Sequence, residues 1–264
     1  MLNKITENTK IKVARNKEYF PIPFLENSMY FQSKCVSLSH YITRADKSGI
    51  IAEFKRKSPS NGIINQYADI LSTTIGYMQA GASALSILTE QDYFMGKNND
   101  LTISRNANYC PILRKDFIID EYQIVESKSI GADSILLIAA CLTQEEIKRF
   151  YSLAKNLGME VLIEIHDKSE IEKLPKGEYI IGVNNRNLKT MEVDLKNSID
   201  VAKLLSNDFT LVSESGIKTV EDILILKKAG FKGFLIGELF MKSANPAGNL
   251  KQFIQQLRAK EYAN

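Results

Sequence analysis

Glu53 and Lys55 stand two residues apart at the end of an apolar run, in IIAEFKRKSPSNG (residues 50–62), so in an extended strand they share one face. A strand buried on both faces should read as nearly continuous apolar sequence. Opposite charges there are either an ion pair closing the end of a sheet or part of an acid–base site. The pattern recurs: Lys115 ends PILRK, Glu164 ends VLIE, Asn184 and Arg186 follow IIGV, and Glu214 and Ser215 follow LVS. Apolar runs that repeatedly end in ionisable residues do not read as solvated surface; they imply convergence over one cavity. Carboxylates beside lysines in such a cavity can move protons, because burial and neighbouring charge set their pKa values.

Those residues need a scaffold that brings many strand ends together. From Gly49 onward short apolar strands alternate with amphipathic helices. The expected strands are Ile50–Lys55, Ala84–Leu88, Pro111–Lys115, Ser134–Ala139, Val161–Ile165, Tyr179–Val183, Thr210–Ser213 and Gly233–Ile236. Helical spacing marks Asp69–Ala80, Glu121–Ile130, Gln144–Leu157, Thr219–Ala229 and Ala247–Lys260, and Gly81, Gly131, Gly158 and Gly230 fall where helices end. Alternation implies a parallel sheet with right-handed crossovers. The turn after the first strand, Ser58-Pro59-Ser60-Asn61-Gly62, is not the glycine fingerprint of an open dinucleotide-binding sheet. The expected fold is therefore α/β, a single (β/α)8 TIM barrel over residues 49–264 with an N-terminal helical extension over 1–48 that serves as a plug or lid.

Period-two parity sharpens the placement. Ile51, Glu53 and Lys55 share the inward face, as do Leu113 with Lys115 and Leu162 with Glu164, while Ile50, Ala52 and Phe54 face the helices. Ser215-Gly216 and Gly237-Glu238 follow the seventh and eighth strands, where barrels bind phosphate through backbone N–H groups.

Composition sets the outer limits. The chain has 264 residues, 44% apolar and 25% charged, which suits one soluble domain with a sizeable core. With 34 basic and 31 acidic residues the net charge of +3 gives no reason to expect nucleic acid as a partner. Cys35, Cys110 and Cys141 lack the spacing of a disulfide framework or zinc site, so no metal is expected. The N-terminus has no apolar signal core and no run is long enough to span a bilayer, which points to a cytoplasmic protein without membrane association.

In order and at barrel spacing, IIAEFKRKSPSNG, LTEQDYFMGK, PILRKDFIIDEYQI, EVLIEIHD, IIGVNNRNLKT, LVSESGI and FLIGELFMKSANP resemble the signature segments of the indole-3-glycerol-phosphate synthase family. The resemblance covers about Ile50 to Pro246 and implies the decarboxylating, dehydrating ring closure of 1-(2-carboxyphenylamino)-1-deoxyribulose 5-phosphate, without cofactor, metal or obligate protein partner. By the same resemblance Lys115 matches the general acid, Lys55 a lysine contacting the anionic substrate and a candidate acid of the later dehydration, and Glu164 the acid–base carboxylate of dehydration, with Glu53 a second candidate base. Asn184 and Glu214 match substrate-orienting positions, and Arg186 flanks them. Ser58, Ser215, Gly216, Gly237 and Glu238 match the phosphate side, Glu238 through its backbone; Phe94 and Phe117 match the walls of the anthranilate pocket. Leu239 and Phe240 depart from the small residue usual after the last signature glycine, and Lys97 after Gly96 is a milder departure.

Other functions fit a barrel of this kind. Phosphoribosylanthranilate isomerase shares the scaffold but is expected to carry a catalytic cysteine where Lys55 stands. A Schiff-base lyase would use Lys115 or Lys55 as nucleophile, which needs a depressed lysine pKa. A non-catalytic sugar-phosphate binder would not need the set Glu53, Lys55, Lys115 and Glu164. His166 follows Glu164 by two residues and is expected to be structural, and His40 is given no role.

Overall fold

The alternating apolar runs close into a barrel. The computed structural model describes residues 2–263 apart from 189 and 207. Its barrel strands are β1 (Ile50–Phe54), β2 (Ala84–Leu88), β3 (Ile112–Lys115), β4 (Ser134–Ile138), β5 (Glu160–Ile165), β6 (Ile180–Asn184), β7 (Thr210–Glu214) and β8 (Gly233–Ile236). They pair in parallel and in chain order, and β8 returns to β1 with Ile50 opposite Phe234 and Ala52 opposite Ile236. Each expected strand is present within about a residue of its boundaries; Lys55 lies just past the end of β1. A small hairpin, Lys57–Ser58 against Gly62–Ile63, shapes the loop that follows.

Parity sorts the two faces of the sheet. Ile50, Ala52 and Phe54 pack outward with helix residues such as Tyr77, Leu250 and Ile254. Ile51 (β1), Leu113 (β3), Leu162 (β5) and Val212 (β7) belong to the interior cluster. These four come from alternate strands, as in a barrel filled by layers of four side chains. Two residues further along the same strands stand Glu53, Lys115, Glu164 and Glu214. The chemistry predicted from strand ends thus occupies the next layer, resting on an apolar floor.

The outer ring consists of α4 (Ile70–Ala80), α5 (Asn98–Ala107), α6 (Glu121–Ser129), α7 (Gln144–Asn156), α8 (Lys196–Ala202), α9 (Val220–Lys228), α10 (Glu238–Met241) and α11 (Pro246–Ala263). Their ends follow local chemistry. The Asp69 carboxylate accepts the Ser72 N–H at the start of α4, and Thr143 with Glu146 and Thr219 with Asp222 form reciprocal capping boxes on α7 and α9. Gly81 ends α4 at φ 101°, a conformation costly for a residue with a Cβ. After β5 the crossover is only a 3₁₀ turn, Lys168–Lys173, followed by Pro175 and Gly177.

The extension reaches both ends of the barrel. It comprises α1 (Leu2–Tyr19), α2 (Ile22–Glu26) and α3 (Leu38–Thr43). Leu38 and Ile42 join the interior cluster beneath Ile51 and Ala84, each such buried side chain contributing about 1.5–3 kcal/mol. The Glu160 carboxylate pins α3 there, accepting the Ser37 hydroxyl at 2.7 Å and the Ser39 N–H at 2.8 Å. At the opposite end Leu2 and Ile5 of α1 line the cavity above the charged layer. One segment therefore meets the barrel at both ends.

Candidate active site

Lys115 is the hinge of the charged layer. Its Nζ donates to Glu164 Oε2 and to Glu214 Oε2, both at 2.8 Å, so it joins neighbouring carboxylates on β5 and β7 from across the barrel. Lys55 Nζ lies 2.5 Å from Glu53 Oε1 on the wall made by β1. All three glutamates are buried, and the lysines are only slightly exposed. A carboxylate–ammonium array so far from water persists because each charge has partners; removing one would strand the others.

Burial and coupling separate the groups. Burial opposes the charge on Lys115, but Glu164, Glu214 and Glu53 outweigh it and raise its pKa. Burial alone would also raise Glu164, yet Lys115 and His166 hold that carboxyl well below the usual carboxylate range. Glu214 goes the other way: burial and the negative charge of Glu164 exceed the pull of Lys115 and push it up to about 8. The array near neutrality therefore combines an ammonium, an ionised carboxylate and a carboxyl that keeps its proton.

The other expected residues surround the same cavity. Phe94 and Phe117 stand with ring centroids 6.1 Å apart on one side. Asn184 ends β6 with its Oδ1 accepting the Arg186 N–H at 3.0 Å, and Arg186 Nη1 donates to Met191 O at 3.1 Å. Its neighbour Asn185 turns away, donating to Ser213 Oγ and the carbonyls of Glu214 and Ser215, and so fixes the β6 and β7 ends to each other. Ser58, Ser215, Gly216, Gly237 and Glu238 line the same cavity. Ser215 and Gly216 both have positive φ, 66° and 84°, in the tight turn that follows β7 at the cavity. The Glu238 carboxylate is taken by Asn61 Nδ2 at 2.6 Å and Lys242 at 2.5 Å, which leaves its backbone to the cavity.

Every residue expected at the site from the sequence lines this cavity. Leu239 lines it too, whereas Phe240 points outward and packs edge-on against Tyr77 and Phe253. The departure at Phe240 is thus a core substitution. Strand-end reading passed over Leu2, Ile5, Leu136 and Ile138, which also line the cavity, and His166, expected to be structural, lines it as well. Parity would have found two of those passed over, since Leu136 and Ile138 lie on the inner face of β4. Nothing in the sequence of α1 shows that its first turn meets the barrel mouth. Among the described residues no group of three or more His, Cys, Asp and Glu is arranged to hold a metal ion.

With the geometry in hand, the similarities to known proteins are specific. A family model described as indole-3-glycerol phosphate synthase matches residues 2–256. The indole-3-glycerol phosphate synthase of Bacteroides thetaiotaomicron is 43% identical over 258 residues, covering 98% of this chain and 99% of that one. The enzyme of the same name from Caldanaerobacter subterraneus subsp. tengcongensis is 42% identical over 261 residues, with coverage of 98% and 99%. Among solved structures, KGPDC of Streptococcus mutans aligns with a TM-score of 0.60 at 12% identity, covering 80% of this chain and 97% of that one; this is likeness of fold alone.

Proposed function

The chain belongs to the indole-3-glycerol phosphate synthase family, and from that premise we propose how its own residues divide the work. The reaction closes the ring of 1-(2-carboxyphenylamino)-1-deoxyribulose 5-phosphate and releases CO2 and water, giving indole-3-glycerol phosphate. Lys115 is the acid of the first step: its Nζ–H protonates the ketone oxygen as the ring carbon bearing the carboxylate attacks the carbonyl carbon. Its raised pKa keeps the proton in place until the developing alkoxide, a stronger base, takes it. Loss of CO2 then restores the aromatic ring. Lys55, paired with Glu53, receives the substrate carboxylate before that loss.

Dehydration needs an acid for the departing hydroxyl and a base for the adjacent C–H proton. Glu164, held ionised beside Lys115, is the base; Lys55, and Lys115 once solvent has restored the proton it gave to the alkoxide, are the cations that can serve the leaving oxygen, and Glu53 is the second carboxylate of the site. Asn184, Glu214 and Arg186 orient the sugar, Phe94 and Phe117 hold the anthranilate ring, and Ser58 with the backbones of Ser215, Gly216, Gly237 and Glu238 receives the phosphate. The observation that carries this reading is Lys115 bridging Glu164 and Glu214 in one buried layer that opens on a single cavity. A Schiff-base role for Lys115 is disfavoured on the same ground, since its carboxylates stabilise the ammonium that such chemistry must deprotonate. The three free cysteines suit a reducing compartment, and we read the protein as a stand-alone cytoplasmic enzyme with residues 1–48 as an extension of the same domain.

The test is direct. Mixed with the carboxyphenylamino-deoxyribulose phosphate, the purified protein should produce indole fluorescence, and Lys115→Ala should lower kcat by about 10²–10⁴-fold. Unchanged turnover in that variant would remove Lys115 from its role.

A further inference from the structure

His166 is a buried group that the proposed division of labour does not use. It stands at the end of β5, inward by the same parity as Leu162 and Glu164, with a side chain only 7% exposed. Its Nε2 lies 3.2 Å from Glu164 Oε1, and its Nδ1 lies 3.6 Å from Glu170 Oε2 on the following 3₁₀ turn. Neither ring nitrogen is aligned for a hydrogen bond, so these are contacts of charge. Glu170 is itself anchored, because its Oε2 accepts the His166 backbone N–H at 2.7 Å. The ring is thus bracketed by two carboxylates, one inside the active site and one behind it.

The layer leaves one edge of Glu164 open to a second cation. Lys55 lies against Glu53, and Lys115 is shared between Glu164 and Glu214. Glu164 thus has one oxygen on Lys115 and its other oxygen toward His166. The titratable and charged groups around this pair are Lys115 on β3, Cys141 after β4, Glu170 and Lys173 on the turn after β5, Arg186 after β6 and Glu214 on β7. We propose that His166 is a positioning residue for the reaction: braced by Glu170, its imidazolium holds the Oε1 edge of Glu164, so that the Oε2 edge stays on Lys115 and faces the substrate. The inference rests on the acid–base role given to Glu164 above. Burial alone would neutralise the ring, but the carboxylates of Glu164 and Glu170 on either side raise its pKa and favour the imidazolium.

The experiment compares His166→Gln and His166→Asn, both neutral, with Glu164→Gln and with the Glu164→Gln/His166→Gln double variant, all checked for folding by circular dichroism. Each neutral His166 variant should lose about tenfold in kcat with a much smaller change in KM, and the acidic limb of its kcat–pH profile should move toward neutrality, because Glu164 has lost a neighbouring cation. The double variant should be no slower than Glu164→Gln alone. Wild-type kcat and an unmoved acidic limb in both His166 variants, with Glu164→Gln still crippled, would overturn the His166 inference alone. Losses that multiply in the double variant would also overturn it, since His166 would then act independently of Glu164. Near wild-type kcat in Glu164→Gln would instead overturn the role of Glu164. If one His166 variant fails to fold, the other carries the comparison, and failure of both to fold would mark His166 as structural and overturn the proposal.

Discussion

Glu214 Oε1 occupies the space that a side chain on Gly182 would fill: a Cβ built there would lie 2.3 Å from that oxygen and 2.5 Å from Leu162 Cδ2. Gly182 sits mid-strand in β6, outside the left-handed region, so the backbone does not demand glycine. The demand comes from the carboxylate, whose other oxygen must reach Lys115 at 2.8 Å. Gly182→Ala should push Glu214 out of the layer, lowering kcat by about 10–10²-fold, while overpacking costs about 1–3 kcal/mol of stability. Steady-state kinetics beside a urea melt separate the two. Stability loss without a kinetic effect would show that Glu214 finds its place by another route.

The two lysines should fail differently. In the proposed division of labour Lys55 receives a carboxylate that is present in the ground state, so Lys55→Met should act mainly as a rise in KM, about tenfold or more. Lys115 there acts on charge that develops only in the transition state, so its replacement should fall on kcat. Fluorescence progress curves over a range of substrate concentration give both parameters. A kcat-only defect in Lys55→Met would assign it a proton as well as a contact.

How much of this was legible beforehand depends on period. Ile51–Glu53 and Leu162–Glu164 obey strict alternation, so their inward facing could be read directly, and the barrel gave the convergence. What was not legible is reach. The link from Lys115 across the barrel to Glu214 depends on an empty position at Gly182, which a strand pattern reads only as a weak residue. His166 continues the Leu162–Glu164 alternation, but its place in an EIHD segment like that of the resembled family points to a structural role; the second carboxylate, Glu170, comes from a 3₁₀ turn with no sequence period. Likewise the sequence of α1 is polar and its meeting with the cavity through Leu2 and Ile5 is a tertiary event.

Stability should carry the signature of Glu214. With a folded pKa of about 8 against an ordinary 4.5, the native state keeps a proton that the unfolded chain has released between those values. The stabilisation is therefore fully present below about pH 4.5 and lost as pH rises through about 8. Glu214→Gln, an isostere of the protonated form, should match the wild type near pH 5 and gain on it by about 1 kcal/mol or more at pH 8.5. Denaturant titrations at the two pH values measure this, and a gap that does not change with pH would mean that Glu214 is ionised throughout.

Behind Lys115, on the outward face of β3, Arg114 holds a second buried charge cluster. Its Nη2 lies 2.7 Å from Glu126 and 3.2 Å from Asp116, its Nε donates to Thr89 Oγ1 at 3.0 Å, and its Nη1 donates to Gln123 O at 3.1 Å and Ser127 Oγ at 3.0 Å. The fork thereby ties the ends of β2 and β3 to α6, which fixes where the neighbouring Lys115 leaves the sheet. Lysine has neither the planar fork nor enough donors to replace it. Arg114→Met should cost about 3–5 kcal/mol, most of it from leaving Glu126 and Asp116 buried without their cation rather than from the lost attraction itself. The double variant Arg114→Met/Glu126→Gln separates these two sources in a urea melt. If stranded charge is the main term, adding Glu126→Gln recovers part of the loss, and the double variant is more stable than Arg114→Met. If the two single losses simply add, the cluster stabilises the barrel through its hydrogen bonds, and the charge on Glu126 is incidental to the position of Lys115.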